Sequence, residues 1–209
     1  MKIGVDVSAW FNPRGQGRFA REIIRALIRL DSSIQYSLFL DEETANLSHD
    51  LPAAENTKQV IVSTAHAASR GASTSCHRTF HDLWAMVKAA RRHRDQIDIF
   101  YFPSATTFFP LWRGAKIILT IHDAIPSKYP DLIFTRRRNQ WLWNLKLRWA
   151  IKEADSIATV TETAKRDIRQ AFRVAEEKIA VVPGGVGPPF CLLMADQGVS
   201  CSGGNGGNV

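Results

Sequence analysis

Apolar and polar positions along this chain alternate between two periods. Short runs rich in Val, Ile, Leu and Phe recur at 3–7, 36–40, 59–62, 98–102, 117–121, 156–160 and 178–182, and each predicts a strand. Between them the spacing becomes helical. In 18–30, Phe19, Ile23, Ile24, Leu27, Ile28 and Leu30 make one stripe, with Arg21, Arg25 and Arg29 facing away. The segment 77–94 predicts a helix with Phe80, Leu83, Trp84 and Val87 inward, and Arg91, Arg92, His93 and Arg94 complementing its carboxyl end. Further helices are predicted at 135–154 and 162–172, whereas 41–56 reads as a polar connection and 63–75 as a mobile loop. Strands alternating with helices predict an α/β sandwich with a mostly parallel sheet. Past Phe190 the periodicity stops, so we read one domain over 1–190 and a disordered Gly/Asn-rich tail over 191–209.

The run Ile117, Ile118, Leu119, Ile121 ends abruptly at His122-Asp123. Pro126 and Pro130 beyond it argue against a continuing strand or an early helix. A titratable pair therefore sits at the carboxyl end of a strand, the edge where open α/β sheets bind ligands. A lone histidine is more often structural, but this position favours function. His122 is one candidate catalytic residue, and Asp123 is the other, able to orient the ring or accept a substrate hydroxyl. A second candidate is the Gly15-Gln16-Gly17-Arg18-Phe19-Ala20 segment, which fits G-x-G-x-x-G/A. Glycines there would let backbone N–H groups approach a phosphate at a helix start, making Gly15, Gly17 and Arg18 candidate phosphate-binding residues. Residues 8–14 intervene between the strand and the first glycine, and the same glycines equally make a loop and a helix start. Asp41, after the second strand, stands where a nicotinamide-dependent oxidoreductase would place its ribose carboxylate. No P-loop spacing occurs.

The chain has 209 residues, enough for one domain or half of a larger enzyme. No segment approaches the length of a membrane span. Asp6 interrupts any signal-peptide core, and Cys76, Cys191 and Cys201 show no paired spacing, so a reducing cytoplasm is expected. His77 and His81 lie one helical turn apart beside Cys76, but no third ligand converges, and no metal is expected. The formal net charge of +7 draws anionic partners. Nucleic acid is not among those expected, since the Arg136-Arg137-Arg138 and 91–94 clusters accompany no nucleic-acid motif. The 135–154 helix has two apolar stripes. Trp143, Leu147, Ala150 and Ala154 make a core face. Trp141, Leu142, Leu145 and Trp149, flanked by Arg138, Lys146, Arg148 and Lys152, fit either peripheral contact with an anionic membrane or packing on protein.

Four stretches in order, GQGRFAREI, TIHDAIPSKYP, ADSIATVTETAKRDI and KIAVVPGGVGPPF, together resemble the amino-terminal domain of retaining family 4 glycosyltransferases of the GT-B fold. The resemblance covers roughly residues 1–190 and implies a Rossmann-like half that holds the acceptor. It places Gly15 and Gly17 near a nucleotide-sugar diphosphate at an interdomain cleft and His122 at the sugar end. Lys165 and Arg166 would be structural. Hexose transfer to a saccharide or lipid-linked acceptor would retain configuration and need neither cofactor nor divalent metal. Such a chain should continue into a donor domain carrying basic residues and paired glutamates. Residues 191–209 hold no Glu, Lys or Arg, so the donor machinery is expected to be missing and the chain alone to be inactive. The alternative is a non-catalytic membrane- or protein-binding module using the Trp141/Trp149 face.

Overall fold

The computed structural model describes residues 1–10, 12, 14–47, 50–64, 80–111 and 114–184. Seven strands form one parallel sheet: β1 (Lys2–Asp6), β2 (Gln35–Asp41), β3 (Thr57–Val62), β4 (Ile99–Phe102), β5 (Lys116–Thr120), β6 (Ser156–Thr159) and β7 (Ile179–Val181). Their order is β3-β2-β1-β4-β5-β6-β7, with every neighbouring pair parallel. The helices are α1 (Gly15–Leu30), α2 (Glu42–Leu47), α3 (Phe80–Arg92), α4 (Ile125–Lys128), α5 (Pro130–Ile133), α6 (Arg137–Glu153) and α7 (Glu162–Phe172). This is a Rossmann-like α/β sandwich.

The two-residue strand period divides the core into two layers. On one face Tyr36, Leu38 and Leu40 of β2 join Val5, Val7 and Trp10 beneath Ile24 and Ile28 of α1. On the other, Phe39, Phe100, Phe102, Leu119 and Ile157 meet Met86 and Val87 of α3, Leu147 and Ala150 of α6, and Ile168 of α7. Phe102 packs with ring centroids 4.8 Å from Phe100, and 5.1 Å from both Phe108 and Phe109. Burial on both faces explains why these strands read as continuous apolar runs.

Five expectations need correction. The stripe of α1 ends at Ile28, because Leu30 in its last turn is 83% exposed. The stretch 41–56 is not only a connection, because Asp41 Oδ1 accepts the Thr44 N–H at 2.8 Å and starts α2. In α3 Leu83 and Val87 do face the core, with Asp82, Met86 and Ala90, but Trp84 is 47% exposed beneath Lys88, whose Nζ lies 6.0 Å from the ring centroid. Pro126 and Pro130 do not exclude early helices. They occupy the first turns of α4 and α5, where a backbone N–H has no intrahelical acceptor to lose. Lys146 does not flank the Trp141/Trp149 stripe but turns back to donate to the Thr106 carbonyl. The loop beyond residue 64, Cys76, His77, the three residues before α3, and the 191–209 tail lie outside the described residues. Among the described residues no helix is long and apolar enough to cross a membrane.

Candidate functional site

The strand order reverses between β1 and β4: the chain runs outward through β2 and β3 on one side, and through β5, β6 and β7 on the other. At such a switch point the loops leaving the carboxyl ends diverge and open a crevice. The helix after β1 and the loop after β4 border it. Gln16 in the first turn of α1 receives a hydrogen bond from Ser104 Oγ across the switch point, at 3.3 Å.

The two glycines of the α1 start are not equivalent. A Cβ on Gly17 would stand 2.0 Å from the Asn12 carbonyl oxygen, so this glycine permits a close passage of the preceding loop. Among the described residues a Cβ on Gly15 would meet nothing within 4 Å. Arg14 caps α1 without a side-chain hydrogen bond, and no acid lies in the first turn. The positive end of this helix dipole is therefore left to whatever anion approaches it. Arg18 lies exposed at the same end, its N–H on the Arg14 carbonyl at 3.2 Å.

His122 follows β5 and is half-buried. Its Nε2 lies 3.1 Å from the Pro103 carbonyl oxygen, which only accepts, so Nε2 carries the proton and the neutral ring presents Nδ1 as an acceptor. Phe19 of α1 meets the imidazole edge-on, with centroids 4.9 Å apart and planes at 88°. Burial pushes the His122 pKa below its ordinary value, and the Pro103 contact and the nearby Asp123 charge oppose that only in part. Asp123 Oδ1 accepts the Ile125 N–H at 2.9 Å and so shapes the start of α4. Below the site, the Tyr101 and Thr120 hydroxyls lie 3.1 Å apart, and burial raises the Tyr101 phenol.

The structure thus brings the α1 start and His122 together, through Phe19 and through the β4 loop that carries both Pro103 and Ser104. Gln16, Phe19 and Ser104 were not singled out from the sequence. The only signal for them was their place beside the two glycines and after Pro103. Asp41 does not face this crevice as a ribose carboxylate; it is 1% exposed and occupied as the cap of α2. Lys165 pairs with Glu176 at 3.7 Å, and Arg166 donates to Thr163 Oγ1 at 3.3 Å. Among the described residues, which exclude Cys76 and His77, no three His, Cys, Asp or Glu side chains converge to hold a metal ion.

A Rossmann-like α/β fold with a switch point in its parallel sheet defines the class of protein. The family model of Glycosyltransferase Family 4 matches residues 13–188, and the chain belongs to that family. Similar solved structures include Arabidopsis thaliana UGT89C1 complexed with UDP (11% identity, TM-score 0.53, 90% of this chain and 50% of that one). The same protein complexed with UDP-L-rhamnose matches at 10% identity and TM-score 0.50, over 87% of this chain and 48% of that one. This chain spans about half the length of those structures, and its fold is that of one half of a GT-B glycosyltransferase. No curated protein matches it.

Proposed function

We propose that this chain is the acceptor-side half of a cytoplasmic transferase of polysaccharide biosynthesis. The complete enzyme moves a hexose from a nucleotide sugar to a saccharide or lipid-linked acceptor, with retention and without a divalent metal. One observation carries the proposal: the start of α1, with no side-chain cap and with open space beside Gly15 among the described residues, meets His122 through Phe19 at the sheet's switch point. The UDP and UDP-L-rhamnose complexes of the similar structures favour a nucleotide sugar as the donor.

Each group then has a distinct task. As the bond from the sugar to the diphosphate breaks and the bond to the acceptor oxygen forms, negative charge collects on the leaving diphosphate, whose oxygen takes up the proton that the acceptor hydroxyl releases. The N–H groups of Gly15 and Gln16, with Arg18, oppose that charge, and such preorganised donors stabilise it most where water is excluded. His122 Nδ1 accepts a hydroxyl of the sugar or acceptor. Its lowered pKa keeps it neutral for that role near pH 7 and makes it a weak base. Asp123 positions the β5–α4 turn that carries the ring.

The test is a titration of the chain with UDP followed by amide NMR. Shifts concentrated at Gly15, Gln16, Gly17 and His122 are the expected result. Shifts confined to other surfaces, or none at saturating UDP, would count against the assignment.

A further inference from the structure

The core-facing side of α6 is Leu147, Ala150 and Ile151, with Trp143 partly covered. Its opposite side should be polar, yet it carries Trp141, Leu142, Leu145 and Trp149 at 63, 40, 51 and 42% exposure. Arg138, Arg148 and Lys152 are exposed on the same side. At 100° per residue these seven positions fall within one helical face. The only acid of α6, Glu153, lies at the edge of this face, accepting from the Leu111 N–H at 3.0 Å and the Trp149 indole at 2.8 Å. Beside the carboxyl end of α6 opens a groove of about 960 Å³ lined by Lys116, Arg148, Trp149, Lys152, Glu153 and Asp155, among others. Three cations, Lys116, Arg148 and Lys152, face two carboxylates there, Glu153 and Asp155, the latter accepting the Ile117 N–H at 2.8 Å, so the groove keeps a positive balance.

We propose that the outward face of α6, with this groove, docks the chain on an anionic lipid bilayer. Two features choose this occupant. A second copy of a chain with net charge +7 would set cation against cation across the contact. The last described residues, 182–184, lie beyond β7 at the carboxyl edge of the sheet, whereas the groove lies at the amino edge beside Lys116 and Asp155. Indole rings and leucines seat at the boundary between headgroups and acyl chains, and flanking cations hold the helix parallel to an anionic surface. The contact is independent of the sugar-transfer proposal.

The experiment is flotation of the full chain with vesicles of phosphatidylcholine, alone or mixed with an equal part of phosphatidylglycerol. The chain should float with the anionic vesicles only. Arg148→Gln and Lys152→Gln should each lower partition by about fivefold, and added salt should weaken binding further. Trp141→Ser with Leu145→Ser should lower it by about tenfold or more, while Trp84→Ser on α3 leaves it unchanged. All these side chains are exposed, and an unchanged circular-dichroism melt confirms that each variant folds. No flotation, equal flotation with neutral vesicles, or equal loss on Trp84→Ser overturns the proposal. So does a self-association that Leu145→Ser dissolves without any vesicle binding.

Discussion

A methyl group added at Gly17 has no room beside the Asn12 carbonyl, whereas one at Gly15 points into open space. The two substitutions therefore separate folding from binding. Gly17→Ala should cost about 1–3 kcal/mol as the loop and helix are forced apart, read as a lower urea midpoint. Gly15→Ala should change stability by less than about 1 kcal/mol yet weaken the UDP-dependent amide shifts, because its Cβ would stand where a diphosphate approaches. His122 supplies a pH test. Its folded pKa lies below the unfolded value of 6.5, so its neutral form contributes stability that is fully present above that pH. As pH falls below 6.5 the unfolded chain binds the proton first, and that stability is lost progressively toward the folded pKa. Urea unfolding at pH 8 and pH 5 should show wild type losing more stability than His122→Gln, whose amide can still donate to Pro103. Parallel losses would mean that the ring is not held neutral by burial.

At the scale of elements, Asp41 divides two accounts of the same carboxylate. As the cap of α2 its replacement by Ala should cost about 0.5–2 kcal/mol, measured in the absence of any ligand. A nicotinamide site would instead show stabilisation by NAD that the substitution removes. The strands and long helices were legible because their apolar periods are dictated by burial against a sheet covered on both faces. The site was legible only in part. His122 and the glycines stood out as residue types at a strand end and a helix start. The link between Gln16 and Ser104 joins positions 88 apart and exists only because β1 and β4 are neighbours. The difference between Gly15 and Gly17 depends on the path of Asn12, which no spacing encodes. Trp84 misled because, as the largest apolar residue of its stretch, it was counted with Leu83 and Val87 on the inward side, which Asp82, Met86 and Ala90 complete instead. The early helices α4 and α5 were hidden by prolines read as breakers, although a first turn tolerates them.

For the whole molecule, magnitudes decide how much of the donor this chain can hold alone. A helix start interacting with an anion contributes roughly 0.3–1 kcal/mol where exposed, and a charge-assisted contact from Arg18 about 1.5–3 kcal/mol. Together these reach at most about 4 kcal/mol, the free energy of a millimolar complex, whereas a micromolar one needs about 8 kcal/mol. The crevice lies open at the carboxyl edge of a single sheet, and the similar structures are about twice as long. Under the proposed function, the rest of the donor's binding energy, and the exclusion of water that makes charge stabilisation effective, would come from a second body facing that edge. UDP should accordingly bind the isolated chain with a Kd no tighter than about 1 mM, and a UDP-sugar should show no turnover above solvent hydrolysis. Calorimetry or the NMR titration gives the first, and release of UDP followed over hours gives the second. A micromolar Kd would mean that this half holds the donor by itself, and the assignment of acceptor and donor to opposite halves would have to be reversed.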